Sequence, residues 1–278
     1  MNINWLESLL YSFISGLAEF LPISAHAHQT LFTRLFGITG NLAFMNLCIH
    51  CGIMLGLYFA TREHLWVLYR EMRLAAVPKR RRRREPDSKC VMQVRLIKTA
   101  FWLLAFGFLF YPVTRLWQSK IHIVGLLLIV NGIIIISPQF LFSGNKDARR
   151  MSFLDGVLLG LANAAFVLPG ISRIAISTTV SHARGVDRTN ALNWALCLSI
   201  PALAFLIGFD VYDIISLGIG VNGILDILKC FLSGVSAFLG AYVSVTIIRF
   251  ISVHTGYYAF GYYSWGAALF SFILFLTI

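Results

Sequence analysis

Val167-Leu168-Pro169-Gly170-Ile171-Ser172-Arg173-Ile174-Ala175-Ile176-Ser177 decides how the rest of the chain is read. The stretch lies in a long apolar segment, yet Pro169 and Gly170 break the helix there and Arg173 sets a full charge just beyond the break. Both features are costly at membrane depth and persist where irregular backbone is buried in protein or lines a wet cavity. Backbone N–H groups freed at such a break, beside a guanidinium, suit a phosphate. A second stretch repeats the design: Glu19 to His28 reads E-F-L-P-I-S-A-H-A-H, with the same Leu-Pro followed by Ile-Ser and an ionisable residue of its own, Glu19. The expectation is that two broken helices, one from each half of the chain, meet near the midplane and build one anion site.

Composition fixes the solvent. Of 278 residues, 58% are hydrophobic and only 13% charged, with a mean hydropathy of +0.77; soluble domains carry about 25% charged residues. The chain reads as an all-α polytopic membrane protein, a single membrane domain over residues 1–278 with no room for a soluble partner domain. Its start lacks the charged region and cleavage site of a removable signal peptide, so the first apolar segment is expected to stay in the mature protein. The net charge of +11 is concentrated, with twelve of the 23 Lys and Arg between Arg62 and Lys98. Without interleaved aromatics this basic stretch, residues 62–98, reads as a cytoplasmic loop that touches anionic lipid headgroups and not as a nucleic-acid surface. Five Cys imply no disulfide framework. Cys48-x-x-Cys51 with His50 between them lies in an apolar run, where packing is the plainer role than metal or redox work.

Taken in order, residues 5–20 and the piece after Pro22 to Phe36 are each shorter than the roughly 20 apolar residues a span needs. Together they read as a re-entrant helical hairpin. Leu42–Ala60 is a full span. Thr99–Trp117 and Ile121–Phe142 are two more, before a second basic loop marked by Lys146, Arg149 and Arg150. Phe153 to about Val180 repeats the broken pattern. Asn190–Phe209 spans, Asp210–Asn222 reads as an acidic loop, and Gly223–Phe250 and Tyr257–Thr277 complete about six full spans and two re-entrant hairpins. With 62–98 inside, the alternation closes without conflict. The first hairpin-plus-span unit, residues 5–61, starts from outside and the second, 153–210, from inside. That is an inverted-topology repeat, which places sites between its halves.

Within this frame Arg173 has a fork that matches phosphate oxygens. Glu19, a carboxyl in an apolar segment, suits acid–base or metal-holding work. His28 and His26 follow the first break, one as a proton carrier and one as a partner for freed carbonyls. Ser24, Ser172 and Ser177 are hydroxyls beside broken backbone, where backbone hydrogen bonding competes with substrate binding as their role. His50 and Asn163 read as residues that satisfy neighbours. No G-x-x-x-x-G-K-[ST] loop, G-x-S-x-G elbow or H-E-x-x-H site is present, which removes nucleotide-driven pumping and the common hydrolase and zinc frameworks.

Ser15 to His28, S-G-L-A-E-F-L-P-I-S-A-H-A-H, resembles the E-G-x-T-E-F-L-P-x-S-S-x-G-H motif of bacterial undecaprenyl-diphosphate phosphatases, the bacitracin-resistance (BacA/UppP) family. Leu168 to Ser177 resembles that family's P-G-x-S-R-S-G-x-T motif. Gly185, Val186, Arg188, Ala191, Trp194 and Pro201 follow its G-x-x-R-x-x-A-x-x-F-S-F-x-x-x-x-P run. The resemblance covers nearly the whole chain. It implies interdigitated inverted repeats in a bacterial inner membrane, a cavity open to the periplasm, and removal of the terminal phosphate of undecaprenyl diphosphate with Mg²⁺ or Ca²⁺. That reaction recycles the lipid carrier of peptidoglycan synthesis. Carried over by position, Glu19 is the second motif acid, Ser24 the first motif serine and His28 the motif histidine, and Ser172 and Arg173 are the phosphate-binding pair. The expected catalytic set is Glu19, His28 and Arg173, with Glu19 the metal candidate, and Ser24, His26, Ser172 and Ser177 are expected to bind substrate. The expected partners are a polyprenyl diphosphate, membrane lipids and, as a further option, a second copy in a homodimer. Ser15 stands where the family has its first Glu, Ala25 replaces a serine proposed as nucleophile, Ala27 replaces the glycine, Ile174-Ala175 replaces Ser-Gly, Ser177 replaces the threonine, and Tyr263 replaces the Arg of a Tyr-Arg pair. An Ala cannot attack phosphorus, so either Ser24, His26 or water is the nucleophile or hydrolysis has given way to lipid-phosphate binding or flipping. An ion channel lacks a ring of like charges or a carbonyl filter motif.

Overall fold

The computed structural model describes residues 2–141, 144 and 146–277. Among them the chain forms eleven α-helices joined by turns and short 3₁₀ segments. In chain order the helices are α1 (Trp5–Phe20), α2 (Ala25–Leu35), α3 (Ala43–Ala76), α4 (Ser88–Gly107), α5 (Tyr111–Gln118), α6 (Ile121–Ile136), α7 (Phe153–Ala164), α8 (Arg173–Ala183), α9 (Arg188–Leu217), α10 (Ile224–His254) and α11 (Ala259–Thr277). Five are long and apolar enough to cross a membrane: α3, α6 with its 3₁₀ extension to Phe140, α9, α10 and α11. The expected ends at Met1 and Phe142 lie outside the described residues.

Three expectations change. About six spans were expected, and the segment read as one of them, Thr99–Trp117, is divided. Gly107 closes α4, a 3₁₀ turn follows at Phe108–Phe110, and α5 starts afresh with Pro112 in its first turn, where proline is tolerated. The basic stretch 62–98 is mostly not a loop, because α3 runs on to Ala76 and α4 begins at Ser88. Helix-forming residues continue past Arg62 with no breaker before Pro78, and the long charged side chains lie on exposed faces. Glu71 is buried there, held by Arg84 through Nη1 at 2.9 Å and by the Asp87 N–H at 2.9 Å, so the polybasic run folds back on the helix it follows. The supposed acidic loop 210–222 likewise begins as helix. Nothing breaks α9 until Gly218, at φ 84°, and Asp210 is buried against His50 with Nδ1 to Oδ2 at 2.6 Å.

The two half-length pairs are α1–α2 and α7–α8. The first helix of each opens with the same reciprocal cap: Asn4 with Glu7 on α1, Ser152 with Asp155 on α7. The packing then crosses between halves. α1 and α3 lie on α10, from the second half, and α7 and α9 lie on α4, from the first. α6 pairs with α11, and α3 with α9. Small residues make these seams. A Cβ on Gly52 would stand 2.0 Å from the Gly234 carbonyl oxygen, and one on Gly16 2.2 Å from that of Ala237. Gly52 and Gly56 form a small-xxx-small stripe that lets α3 and α10 touch backbone to backbone. We expect Gly52→Leu to abolish the monodisperse peak in fluorescence-detected size exclusion. Gly266→Ala, whose Cβ meets nothing within 4 Å, should elute like the wild type.

Candidate active site

Each half-length pair breaks where its proline falls. α1 stops at Phe20, and Leu21 takes extended backbone at ψ 149°. The chain turns through Pro22 and Ile23 and restarts at Ser24, which sits at φ 67° and ψ 102° although it is buried. Ser24 is the one non-glycine residue at positive φ among the described residues. Such a conformation costs on the order of 1–3 kcal/mol and persists when the surroundings hold it. On the other side α7 ends in a 3₁₀ turn at Ala165–Val167. The chain then passes Gly170 at φ +126°, where a Cβ would meet the Leu127 Cβ at 2.5 Å, and restarts at Ser172 as the N-cap of α8.

The two breaks are sewn together. The Gly170 N–H donates to Ser24 Oγ at 3.1 Å, and the Ser172 hydroxyl donates to the Leu21 carbonyl at 3.3 Å while accepting from the Ala175 N–H at 3.4 Å. Asn131 on α6 completes the seam. Its Oδ1 accepts from the Ser172 N–H at 2.8 Å, and its Nδ2 donates to the Pro22 carbonyl and to Ser264 Oγ on α11, both at 3.0 Å. Backbone groups freed by two prolines thus find partners without water. Sequence reading missed Asn131, although an amide with no charge near it in the apolar run Ile121–Ile136 is itself a signal.

A small cavity of about 10 Å³ lies between the breaks, lined by Glu19, Ser24, Ala25, His26, Ile171, Ser172 and Arg173. It has room for about one water. Glu19 and Arg173, 7% and 6% exposed, form an ion pair across it through Nη2 and Oε1. The second terminal nitrogen of Arg173, Nη1, is buried and has no hydrogen-bond partner among the described residues. A buried guanidinium N–H left unpaired is expensive, and an oxyanion with several lone pairs is a ligand that relieves it. The His26 ring lines the same cavity and forms no hydrogen bond among the described residues.

His28 lies outside this lining. Its Nδ1 faces the Ser24 carbonyl at 2.9 Å and must carry the proton there, which leaves Nε2 to accept from the Tyr263 hydroxyl at 2.8 Å. The two rings stack with centroids 5.6 Å apart and planes 6° apart. His28 therefore braces the strained Ser24 and faces the residue that stands in place of the expected Arg. Ser177 also lies outside the lining, one turn along α8, accepting from Asn163 Nδ2 at 2.7 Å. Ser15 is one turn before Glu19 on α1, bonded to the Tyr11 carbonyl at 2.7 Å and to Gln29 Nε2 at 3.1 Å. No group of three or more His, Cys, Asp or Glu side chains that would cage a metal occurs among the described residues.

Residues 8–270 match the family model described as "Bacitracin resistance protein BacA". The chain is 28% identical over 270 residues to a protein of Alkaliphilus metalliredigens named undecaprenyl-diphosphatase, covering 93% of this chain and 94% of that one. A protein of the same name from Carboxydothermus hydrogenoformans is 26% identical over 262 residues, with 94% of each chain covered. Undecaprenyl-diphosphatase 3 of Bacillus cereus is 24% identical over 268 residues, covering 96% of this chain and 95% of that one.

Proposed function

The chain belongs to the bacitracin resistance protein BacA family, and from that premise we propose that it is a membrane-embedded hydrolase that removes the terminal phosphate of undecaprenyl diphosphate. The observation that supports this most directly is the half-satisfied Arg173 beside the cavity: one terminal nitrogen on Glu19, the other buried and without a partner among the described residues. An incoming diphosphate takes the free N–H first and then competes with Glu19 for the other, opening the cavity as it binds.

In this reading Ser24 is the nucleophile that stands in for the missing serine at Ala25. Its oxygen forms a bond to the terminal phosphorus as the bond to the bridging oxygen breaks, releasing undecaprenyl phosphate. His26, whose ring nitrogens are uncommitted at the same cavity, takes the hydroxyl proton. It gives that proton to the departing bridging oxygen, then takes one from the water that attacks the phosphoserine and returns it to Ser24 Oγ as inorganic phosphate leaves. Catalytic hydrogen bonds tighten when substrate arrives. The Gly170 N–H, already on Ser24 Oγ, favours the developing negative charge. His28 holds the Ser24 backbone through its carbonyl, and Ser172 caps α8 so that its first N–H groups face the phosphates.

Glu19 is the carboxylate at the cavity, which fits Mg²⁺ or Ca²⁺ better as a shared ion than as a caged one. Mg²⁺ in particular binds through one or two carboxylates with substrate phosphates as further ligands. Bound by Glu19 and the diphosphate, the ion would neutralise phosphate charge.

The crossed packing, in which α1 and α3 lie on α10 while α7 and α9 lie on α4, supports an inverted repeat of α1–α6 with α7–α11. Under it the α1–α2 and α7–α8 pairs are re-entrant hairpins, the basic residues of 62–98 face the cytoplasm of a bacterial inner membrane, and the cavity faces the periplasm.

The purified wild type should release phosphate from undecaprenyl diphosphate in Mg²⁺ or Ca²⁺, and Ser24→Ala should remove at least 99% of that rate with substrate still bound. No release from a folded wild type in either ion would sink the hydrolase reading. Full release from Ser24→Ala with loss in His26→Ala would move the nucleophile to His26 or to water.

A further inference from the structure

A second pocket lies at the other end of α8. His182, the last residue but one of that helix, is nine residues beyond Arg173, about 14 Å along the axis at 1.5 Å per residue. Here α8, the start of α9, the 3₁₀ extension of α6 and the α10–α11 turn converge on a cavity of about 50 Å³. A water needs about 10–15 Å³ measured this way, so the space suits a group the size of a few waters, such as a tetrahedral oxyanion.

Arg188 carries the one permanent charge of the pocket's lining. His182 and Arg188 face the cavity with Gln139 and Tyr257, and the lining includes no carboxylate. His182 is only 8% exposed, and its ring forms no hydrogen bond among the described residues. The Tyr257 hydroxyl is buried at the same wall, next to the Ser252 hydroxyl, which donates to the Arg188 carbonyl at 3.4 Å. Arg188 forms no ion pair among the described residues. The adjacent carboxylate of Asp187 is committed to the N–H groups of Thr189 and Asn190 at 3.0 and 3.1 Å. Gly256, at φ +84°, leaves the place the guanidinium needs, because a Cβ there would meet Arg188 Nη1 at 3.2 Å. Ile135, Pro138 and Ala191 supply an apolar part of the wall. An arginine with no ion pair and a buried histidine ring with no hydrogen bond among the described residues, in a lining with no carboxylate, describe an anion site with a hydrophobic flank.

We propose that this pocket binds a phosphate monoester group, as a second site separate from the one at Arg173. The chemistry is shared by a lipid monophosphate headgroup and by free inorganic phosphate. The inference goes beyond the hydrolase reading and does not rest on it.

The test uses full-length protein in nanodiscs of neutral lipid, with equilibrium binding of radiolabelled orthophosphate and of dodecyl phosphate. At least one probe should fill two classes of site in the wild type. Arg188→Gln should weaken one class at least about tenfold and leave the other, since a hydrogen bond to a charged group is worth that much. Tyr257→Phe should weaken the same class roughly fivefold. It removes a single hydroxyl, so it should fold like the wild type and keeps the test open if Arg188→Gln fails to fold. Dodecyl phosphate alone at this class identifies a lipid headgroup. Orthophosphate alone identifies the free ion, and both together show that the phosphoryl group suffices. A single class of site for both probes, or wild-type affinity for both probes in folded Tyr257→Phe, overturns the proposal.

Discussion

Arg173→Lys should lower kcat/KM for undecaprenyl diphosphate about 100-fold while the protein still folds. Lysine keeps the charge and the pairing with Glu19, but it has one compact head where arginine has a planar fork. Arg173 divides that fork, with Nη2 on Glu19 and Nη1 buried without a partner among the described residues. An ammonium cannot hold the carboxylate and reach the phosphate with fixed geometry in this way. Loss of a charge-assisted bond made to the transferring group is worth about 2–3 kcal/mol, and each 1.36 kcal/mol is a factor of ten in rate. Removing the partner as well gives a sharper readout. Because the two side chains form one unit, the double variant Arg173→Lys with Glu19→Gln should lose much less than the product of the single losses. The measurement is steady-state phosphate release with size exclusion as a fold control. A near wild-type kcat/KM in Arg173→Lys would take the guanidinium out of the reaction.

Asn131→Leu should cost about 2–3 kcal/mol of stability and most of the activity, although Asn131 is absent from the cavity lining. The substitution is nearly isosteric and more apolar, so burial alone would make it neutral or better. The opposite sign comes from the groups it strands: the Ser172 N–H, the Pro22 carbonyl and the Ser264 hydroxyl all lose a partner in an interior without water. Both breaks would then be free to shift relative to each other, and a misplacement of 1 Å at a reacting centre costs about 10²-fold. Ser264→Ala removes only one arm and should cost less than about 1 kcal/mol. Thermal unfolding in detergent, read beside phosphate release, separates the cases. Equal melting temperatures for wild type and Asn131→Leu would show that the seam does not depend on this amide.

How much of this was legible beforehand depended on whether the signal was local. The breaks at Pro22 and Pro169-Gly170 could be read because proline and glycine act on their own backbone, and Arg173 and Glu19 could be read because charge in an apolar run is conspicuous. The pairing of Glu19 with Arg173 and the link from Gly170 to Ser24 join residues 154 and 146 positions apart, and nothing in either segment specifies them. His26 and His28 are two residues apart on one helix and so about 200° apart around its axis. Sequence alone does not say which of them turns to the cavity, and the structure turns His26 there and His28 to Tyr263. The length of α3 was hidden for a different reason. Charge marks where a chain leaves the membrane, not where a helix ends, so the sequence places the end of this span at Ala60 while the helix runs on to Ala76.

The seam between α1 and α10 sets a timetable for biosynthesis. The ribosome completes Phe20 long before it reaches Ile224, and at cellular elongation rates the delay is on the order of tens of seconds. Through that interval the first helix has lipid where its final neighbour will lie. Its small polar residues tolerate the wait, because Ser8, Ser12 and Ser15 each donate to a carbonyl three or four residues back on the same helix, at 2.6 to 2.8 Å. No hydroxyl on that row needs α10 for satisfaction, and Gly16 presents bare backbone that only later receives Ala237. Nascent chains stalled before α10 should therefore insert α1 yet leave it open to cysteine labelling at Ser12→Cys, and chains stalled after His254 should shield it.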